Sequence, residues 1–319
     1  MAIGEAAGLK LGKATRDAFG AALKDLGNEF PSVVTVDGDV GNSTRTEVFA
    51  KAFPNRGFNV GIAESNMVGV AGGLAAAGKI PVVSSFAAFL LCNAFDQIRM
   101  SIAYPGMNVK LVGSHAGISI GEDGASQMGI EDVGLACSMP GFTVIVPADA
   151  ASARKATRAM LEHVGPVYLR CGRIELPEVY TADSPFVIGK ANTVKEGNDV
   201  TIIANGLMVG IALDAAAALA KTGVQARVLD MHTVKPLDEA AIIKAATETG
   251  RIVVAEEHLM AGGLGSAVAT VVARTKPVPM EFVNVGDCYA ESGDPLGLLQ
   301  KYGLTAEAIV AAVTKVRSR

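Results

Sequence analysis

The sequence predicts an α/β protein made of two doubly wound domains. Three observations carry that expectation: short apolar strands alternate with helical stretches along most of the chain, glycines gather where the strands end, and one proline-containing, aperiodic segment divides the alternation in two. With 319 residues, 50% of them hydrophobic, the chain is long enough for each part to bury an ordinary core.

In chain order, Lys13 to Leu26 has a helical apolar pattern, and PSVVTVDGD reads as a buried parallel strand ending at Asp37 and Asp39. FNVGIA, IPVVSSF, NVKLVGS, FTVIVPA and PVYLRC then read as strands. SNMVGVAGGLAAAG, FLLCNAFDQIRMSIA, GIEDVGLACSM and DAASARKATRAMLEHV read as the helices between them. After Glu175, LPEVYTADSPFVIG loses its periodicity and reads as the connection between domains. The expected division is a first domain over 1–180, a linker over 181–190 and a smaller second domain over 191–319. In the second domain DVTIIANG, VQARVLDM, RIVVAEE and MEFVNVG are strands, separated by LMVGIALDAAAALAKTG, DEAAIIKAATETG and GGLGSAVATVVARTK as helices.

The net charge of −4 is interspersed and forms no basic stripe, so nucleic acid is not an expected partner. No apolar run reaches the roughly 18 residues of a membrane span, and MAIGEAAGLKLGKATRDAF lacks the apolar core of a secretory signal, which points to the cytoplasm. Cys92, Cys137, Cys171 and Cys288 form no CxxC pair and read as buried, reduced thiols, with no metal site indicated. Few aromatics, no tryptophan and abundant alanine and glycine favour close helix packing across subunit interfaces.

In a doubly wound fold, ligands sit beyond the carboxyl ends of the strands. Glu64 follows one such end in GFNVGIAESNMVGVAGGLAAAG, and the small residues after it let a helix or a flat ligand approach the backbone closely. Taken singly, Glu64 also reads as an acid stabilised by its helix dipole. His115 follows another strand end in GSHAGISIGEDGASQMGIEDVG, where Glu122, Asp123, Gln127, Glu131 and Asp132 share a glycine-punctuated loop suited to a polyhydroxylated substrate. Phe86, Phe89 and Phe95 surround a strand-to-helix turn and can wall a flat heterocycle or serve as core. VDGDVGN and AGGLGSAVA match neither phosphate-binding glycine pattern and read as tight turns.

Together, GIAESNM, SSFAAF with AFDQIRM, and GSHAGISIGEDGASQM resemble, in order and spacing, the pyrimidine-binding domain of transketolase. VLDMHTVKPLD and EEHLMAGGLGSAVA are similar to its third domain. A full transketolase is about twice as long, and its first domain, which carries a GDG motif and later a paired asparagine, holds the diphosphate and metal. Here the corresponding triplet is GDV and no Asn-Asn pair occurs, so the chain resembles the C-terminal subunit of a split transketolase.

The resemblance implies thiamine diphosphate as cofactor, with Mg2+ or Ca2+ held by the partner subunit. It implies Glu64 as the proton partner of the cofactor's pyrimidine, Phe86, Phe89 and Phe95 as aromatic surroundings, and Asp39 as a cofactor-side acid. It assigns His115, Asp123 and Gln127 to the substrate, with His115 also catalytic, and Arg16, Ser43 and Arg173 to a substrate phosphate. Gln127 departs from the histidine of many microbial and plant relatives, and Cys92 and Asn93 depart from a basic residue often found there. The implied reaction moves a two-carbon ketol unit from a ketose phosphate to an aldose phosphate. The implied partner is an N-terminal subunit, with a heterotetramer as the assembly.

A β subunit of the pyruvate dehydrogenase type has similar length and domain order, but its loop usually carries HSQ without the GEDG lead. A non-catalytic assembly subunit is the alternative from another class, and retention of Glu64, Phe86, Phe89, His115 and Asp123 argues against it.

Overall fold

A computed structural model of the chain describes residues 2–319. It begins with β1 (Leu11–Ala14), α1 (Thr15–Leu26), β2 (Val33–Asp37), α2 (Gly41–Thr44), α3 (Thr46–Ala52), β3 (Gly57–Asn59), α4 (Glu64–Ala76) and β4 (Ile80–Phe86). Next come α5 (Phe95–Ile98), β5 (Lys110–Ser114), α6 (Asp132–Ser138), β6 (Thr143–Ile145), α7 (Ala150–Glu162), β7 (Val167–Arg170) and β8 (Glu175–Pro177). The remainder holds β9 (Asn192–Lys195), β10 (Val200–Ala204), α8 (Met208–Ala220), β11 (Ala226–Asp230), β12 (Thr233–Lys235), α9 (Glu239–Glu248), β13 (Ile252–Ala255), α10 (Leu264–Thr275), β14 (Met280–Val283), α11 (Pro295–Lys301) and α12 (Ala306–Arg317).

Two sheets organise these elements. The first has seven strands in the order β12-β6-β7-β5-β4-β2-β3, and the second has five in the order β14-β13-β10-β11-β9. Their interiors are parallel, and the expected α/β architecture is present. All five residues of β2 are buried, as expected for an interior parallel strand covered on both faces; its polar Asp37, at the carboxyl end, accepts from the Thr44 and Thr46 hydroxyls at 3.2 and 2.7 Å. The carboxyl ends of the adjacent strands β5, β4, β2 and β3 therefore lie side by side, leading to His115, Phe86, Asp39 and Glu64.

Several elements depart from the sequence expectation. Both sheets have antiparallel edges, β9 on β11 and β12 on β6, and a further antiparallel pair joins β1 to β8. β12 belongs to the second part of the sequence yet completes the first sheet, and Lys235 Nζ secures it by donating to the carbonyls of Cys137 and Met139 at 2.9 and 2.6 Å. β8 occupies part of the segment that reads as aperiodic. The stretch expected to be one helix, FLLCNAFDQIRMSIA, is interrupted by wider five-residue turns at Phe89–Asn93 and Arg99–Ala103.

Of the four cysteines only Cys171 is buried; Cys92 and Cys288 are exposed and Cys137 is half-buried, so the expectation of four buried thiols is corrected. Cys92 lies in the first wide turn, outside the apolar core that takes Leu90 and Leu91. Among the described residues no helix exceeds 13 residues, and the apolar C-terminal stretch is divided into α11 and α12, of 7 and 12 residues. None of these reaches the roughly 20 residues needed to cross a bilayer.

Candidate functional site

Glu64 opens α4 and is 7% exposed. Its Oε1 accepts a hydrogen bond from Ser85 Oγ at 3.1 Å, so the carboxyl end of β4 fixes the Glu64 carboxyl. Gly38 closes over it from the loop after β2, where an added Cβ would stand 3.8 Å from Oε1. Immediately after Ser85, Phe86 ends β4, and its ring stacks on Phe89 with centroids 5.5 Å apart and planes 7° from parallel. A buried carboxyl beside two parallel aromatic rings is a setting for a flat nitrogen heterocycle.

His115 stacks on Phe86 at 3.9 Å. Its Nε2 lies 2.8 Å from Arg16 Nη1, and its Nδ1 lies 2.8 Å from Ser114 Oγ. An arginine nitrogen can only donate, so Nε2 accepts, and the ring proton sits on Nδ1 and points to Ser114. Burial, followed by the charges of Arg16, Arg173 and Arg45, pushes the imidazole down to about 3, so it is neutral at physiological pH.

Arg16 reaches this imidazole from α1, and its Nη1 also donates to the Ser43 carbonyl at 3.1 Å. Among the described residues its buried Nε has no hydrogen-bond partner. Burial, with the nearby charge of Arg45, lowers its pKa from the usual arginine value. Arg173 donates to the Ile120 carbonyl at 2.6 Å and to Glu122 at 3.0 Å. Exposed Asp123 is close enough for its charge to favour the protonated form of Arg16. Gln127 is half-buried in the same loop. An orphan guanidinium nitrogen among several cations suits an oxyanion.

Asp39 accepts from Asn59 Nδ2 at 2.8 Å and lines a cavity of about 390 Å³ with Asp37, Asn42, Glu47 and Asn59. Asp39, Arg45 and His115 are the non-glycine residues with left-handed backbone among those described, at φ 67°, 69° and 55°. Strained backbone gathered in one region is typical of functional loops. Phe95 is not brought to the Phe86 and Phe89 pair: the wide turn at Phe89–Asn93 shifts the helical phase, and Phe95 lines a separate cavity with Arg99, Tyr104 and Met139.

AGGLGSAVA does not offer a free helix N-terminus, because Glu256 accepts from the Leu264 and Gly265 backbone nitrogens, each at 2.7 Å. Among the described residues no group of three His, Cys, Asp or Glu side chains is placed to hold a metal ion.

Sequence reasoning passes over Arg45, Arg170 and Glu257. Arg45 is turned into the site by its left-handed backbone, which packs where a Cβ on Gly20 would stand, and Asp17 holds its Nε at 2.5 Å. Arg170 in the apolar run VYLRC, and the charged triplet Glu256, Glu257, His258 after an apolar strand, are the signals the sequence offers for the other two.

Both parts of the chain match family models: residues 12–179 match the transketolase pyrimidine binding domain, and residues 189–309 match the transketolase C-terminal domain. The chain is 43% identical over 304 residues to the 6-deoxy-6-sulfo-D-fructose transketolase subunit of Clostridium sp. (strain MSTE9), covering 95% of this chain and 94% of that protein. It is 38% identical over 297 residues to an apulose-4-phosphate transketolase subunit of Phocaeicola vulgatus, covering 93% and 95% of the two. A solved structure described as a split gene transketolase, inactive beta4 tetramer, superimposes with a TM-score of 0.89 at 48% identity, over 96% of this chain and 99% of that one.

Proposed function

The chain belongs to the transketolase family, and we propose that it is the C-terminal subunit of a split transketolase that moves a two-carbon ketol unit between sugar phosphates. The observation that carries this reading is the Glu64 carboxyl, held by Ser85 beside the parallel rings of Phe86 and Phe89. These residues fit the pyrimidine of thiamine diphosphate, the cofactor on which the family depends. When bound, the cofactor supplies the carbon nucleophile that takes up and releases the two-carbon unit.

The chain's own residues divide the remaining work. Phe86 and Phe89 orient the flat ring, and Glu64 holds a proton against a ring nitrogen from a pocket that bulk water enters poorly. Neutral His115 presents Nε2 as an acceptor for a substrate hydroxyl once a substrate anion draws Arg16 away. Arg16, Arg173 and Ser43 take the terminal phosphate, with Asp123 and Gln127 alongside for the sugar hydroxyls. Asp39 stands on the cofactor side.

The metal and the diphosphate go to an N-terminal partner subunit, and the complete site forms in a heterotetramer. The structural relative described as an inactive tetramer of β chains supports a subunit that assembles without its partner and does no chemistry. A 2-oxo acid dehydrogenase β subunit is not favoured, since the relatives that the chain matches over nearly their whole length carry transketolase-subunit names.

The test is transfer from xylulose 5-phosphate. The purified chain alone is expected to be inactive, and a partner with a GDG-type motif, thiamine diphosphate and Mg2+ is expected to restore transfer. Activity of the chain by itself overturns the split-subunit reading.

A further inference from the structure

We propose that Glu257, in the second domain, is a positioning residue for the first domain's substrate loop, which runs from residue 116 to 131. For its catalytic consequence this rests on the proposed function. Glu257 follows β13, is buried, and accepts the Ser119 backbone N–H on Oε1 at 2.7 Å. Its Oε2 faces Arg170 Nη1 at 3.9 Å. Arg170 Nη2 in turn donates to the carbonyls of Gly129, at 2.9 Å, and of Glu257 itself, at 3.0 Å. Its Nε donates to Asp132 at 2.8 Å.

One carboxylate and one guanidinium therefore grip both legs of the loop, Ser119 on the outgoing leg and Gly129 on the returning leg. The legs are also joined directly, by the Gly117 N–H donating to the Gly129 carbonyl at 2.8 Å. Gly117 has a φ of +83°, and the Glu257 carboxyl fills the space its Cβ would need. The chain thus uses a glycine here for two reasons at once.

The grip continues into the substrate site. Ile120, next to Ser119, supplies the carbonyl that holds Arg173, and the loop beyond it carries Asp123 and Gln127. If the two domains needed only cohesion, packed apolar residues would serve as well as a buried ion pair or better. Burial pushes the Glu257 carboxyl up to about 7, with Arg170 opposing, so keeping it there carries a cost. What a carboxylate adds over an apolar side chain is direction: an acceptor aimed at one backbone N–H.

Two isolated changes separate aim from charge. Glu257→Gln keeps an oxygen for Ser119 and gives up the charge facing Arg170; Glu257→Asp keeps the charge and withdraws the oxygen. In the reconstituted complex, Asp is expected to raise the KM for the phosphorylated sugar about tenfold or more with thiamine diphosphate affinity unchanged, while Gln stays within about twofold of the parent. In the chain alone, amide exchange over residues 119–127 is expected to quicken in the Asp variant and to remain at the parent rate in the Gln variant. The reverse order, or equal effects of the two, overturns the proposal. The exchange measurement needs no catalysis, so a parent complex that fails to transfer ketol units removes the proposed function and leaves the positioning test standing.

Discussion

Arg16 Nη1 donates to His115 Nε2 across 2.8 Å, joining a helix at the start of the chain to the end of a central strand. A guanidinium that donates to an imidazole can do so only while the ring is neutral, so the contact fixes both the charge and the tautomer.

It follows that His115 does not titrate in the physiological range. Its ring resonances are expected to stay still between about pH 5 and 8. Its pKa is depressed in the fold to about 3 from the ordinary histidine value of 6.5. Its neutral burial therefore stabilises above the unfolded value, and that contribution is lost as the pH falls from about 6.5 toward 3. A His115 transition near pH 6.5 in a ring-selective NMR titration contradicts the Arg16 contact.

Glu64→Gln is expected to lower turnover of the reconstituted complex by at least a hundredfold, on the order expected for loss of a positioned proton donor or acceptor. The amide oxygen can still accept from Ser85, so the fold is expected to be unchanged by circular dichroism. Parent-like ketol transfer in this variant makes Glu64 a structural helix-end acid.

Arg173→Ala is expected to weaken phosphorylated substrates by roughly ten- to a hundredfold, the worth of about 1.5–3 kcal/mol for hydrogen bonds to a charged group. An unphosphorylated aldose acceptor is expected to be affected far less, and the ratio of the two kcat/KM values is the readout. An equal loss on both substrates places Arg173 outside the phosphate site.

Asp230 gives a pH signature of stability outside the site. Burial pushes its carboxyl up to about 7, and its Oδ1 has no partner among the described residues, although Tyr180 donates to Oδ2 at 2.6 Å. A carboxyl raised in the fold favours folding fully below its unfolded value and loses that contribution as the pH climbs through the folded value. Asp230→Asn is therefore expected to raise the melting midpoint above about pH 7 and to change it little near pH 4. Calorimetry at the two pH values checks this, and a constant difference between them rules the explanation out.

Much of the site is readable because it is local in sequence. Glu64, Phe86 and His115 each stand within a few residues of a strand's carboxyl end, and strands reveal themselves by short apolar runs. Phe95 escapes such reading because its direction depends on helical phase, which a wide turn resets without marking the sequence. Arg45 depends on a left-handed residue and on the missing Cβ of Gly20, 25 positions earlier. Glu257 meets its loop from 138 positions away, a distance that no periodicity spans. β12 has three residues, too few for any alternation to declare which sheet it joins.

That short strand has a consequence for how the chain can be divided. A cut between residues 181 and 190 looks from the sequence as if it separates two self-sufficient bodies, yet it strips the first sheet of its outermost member and leaves β6 with a row of unmated backbone groups. A fragment ending there would carry a sticky border and is expected to associate with its own kind. The later-made part of the chain thus closes the border of the sheet that the earlier part begins.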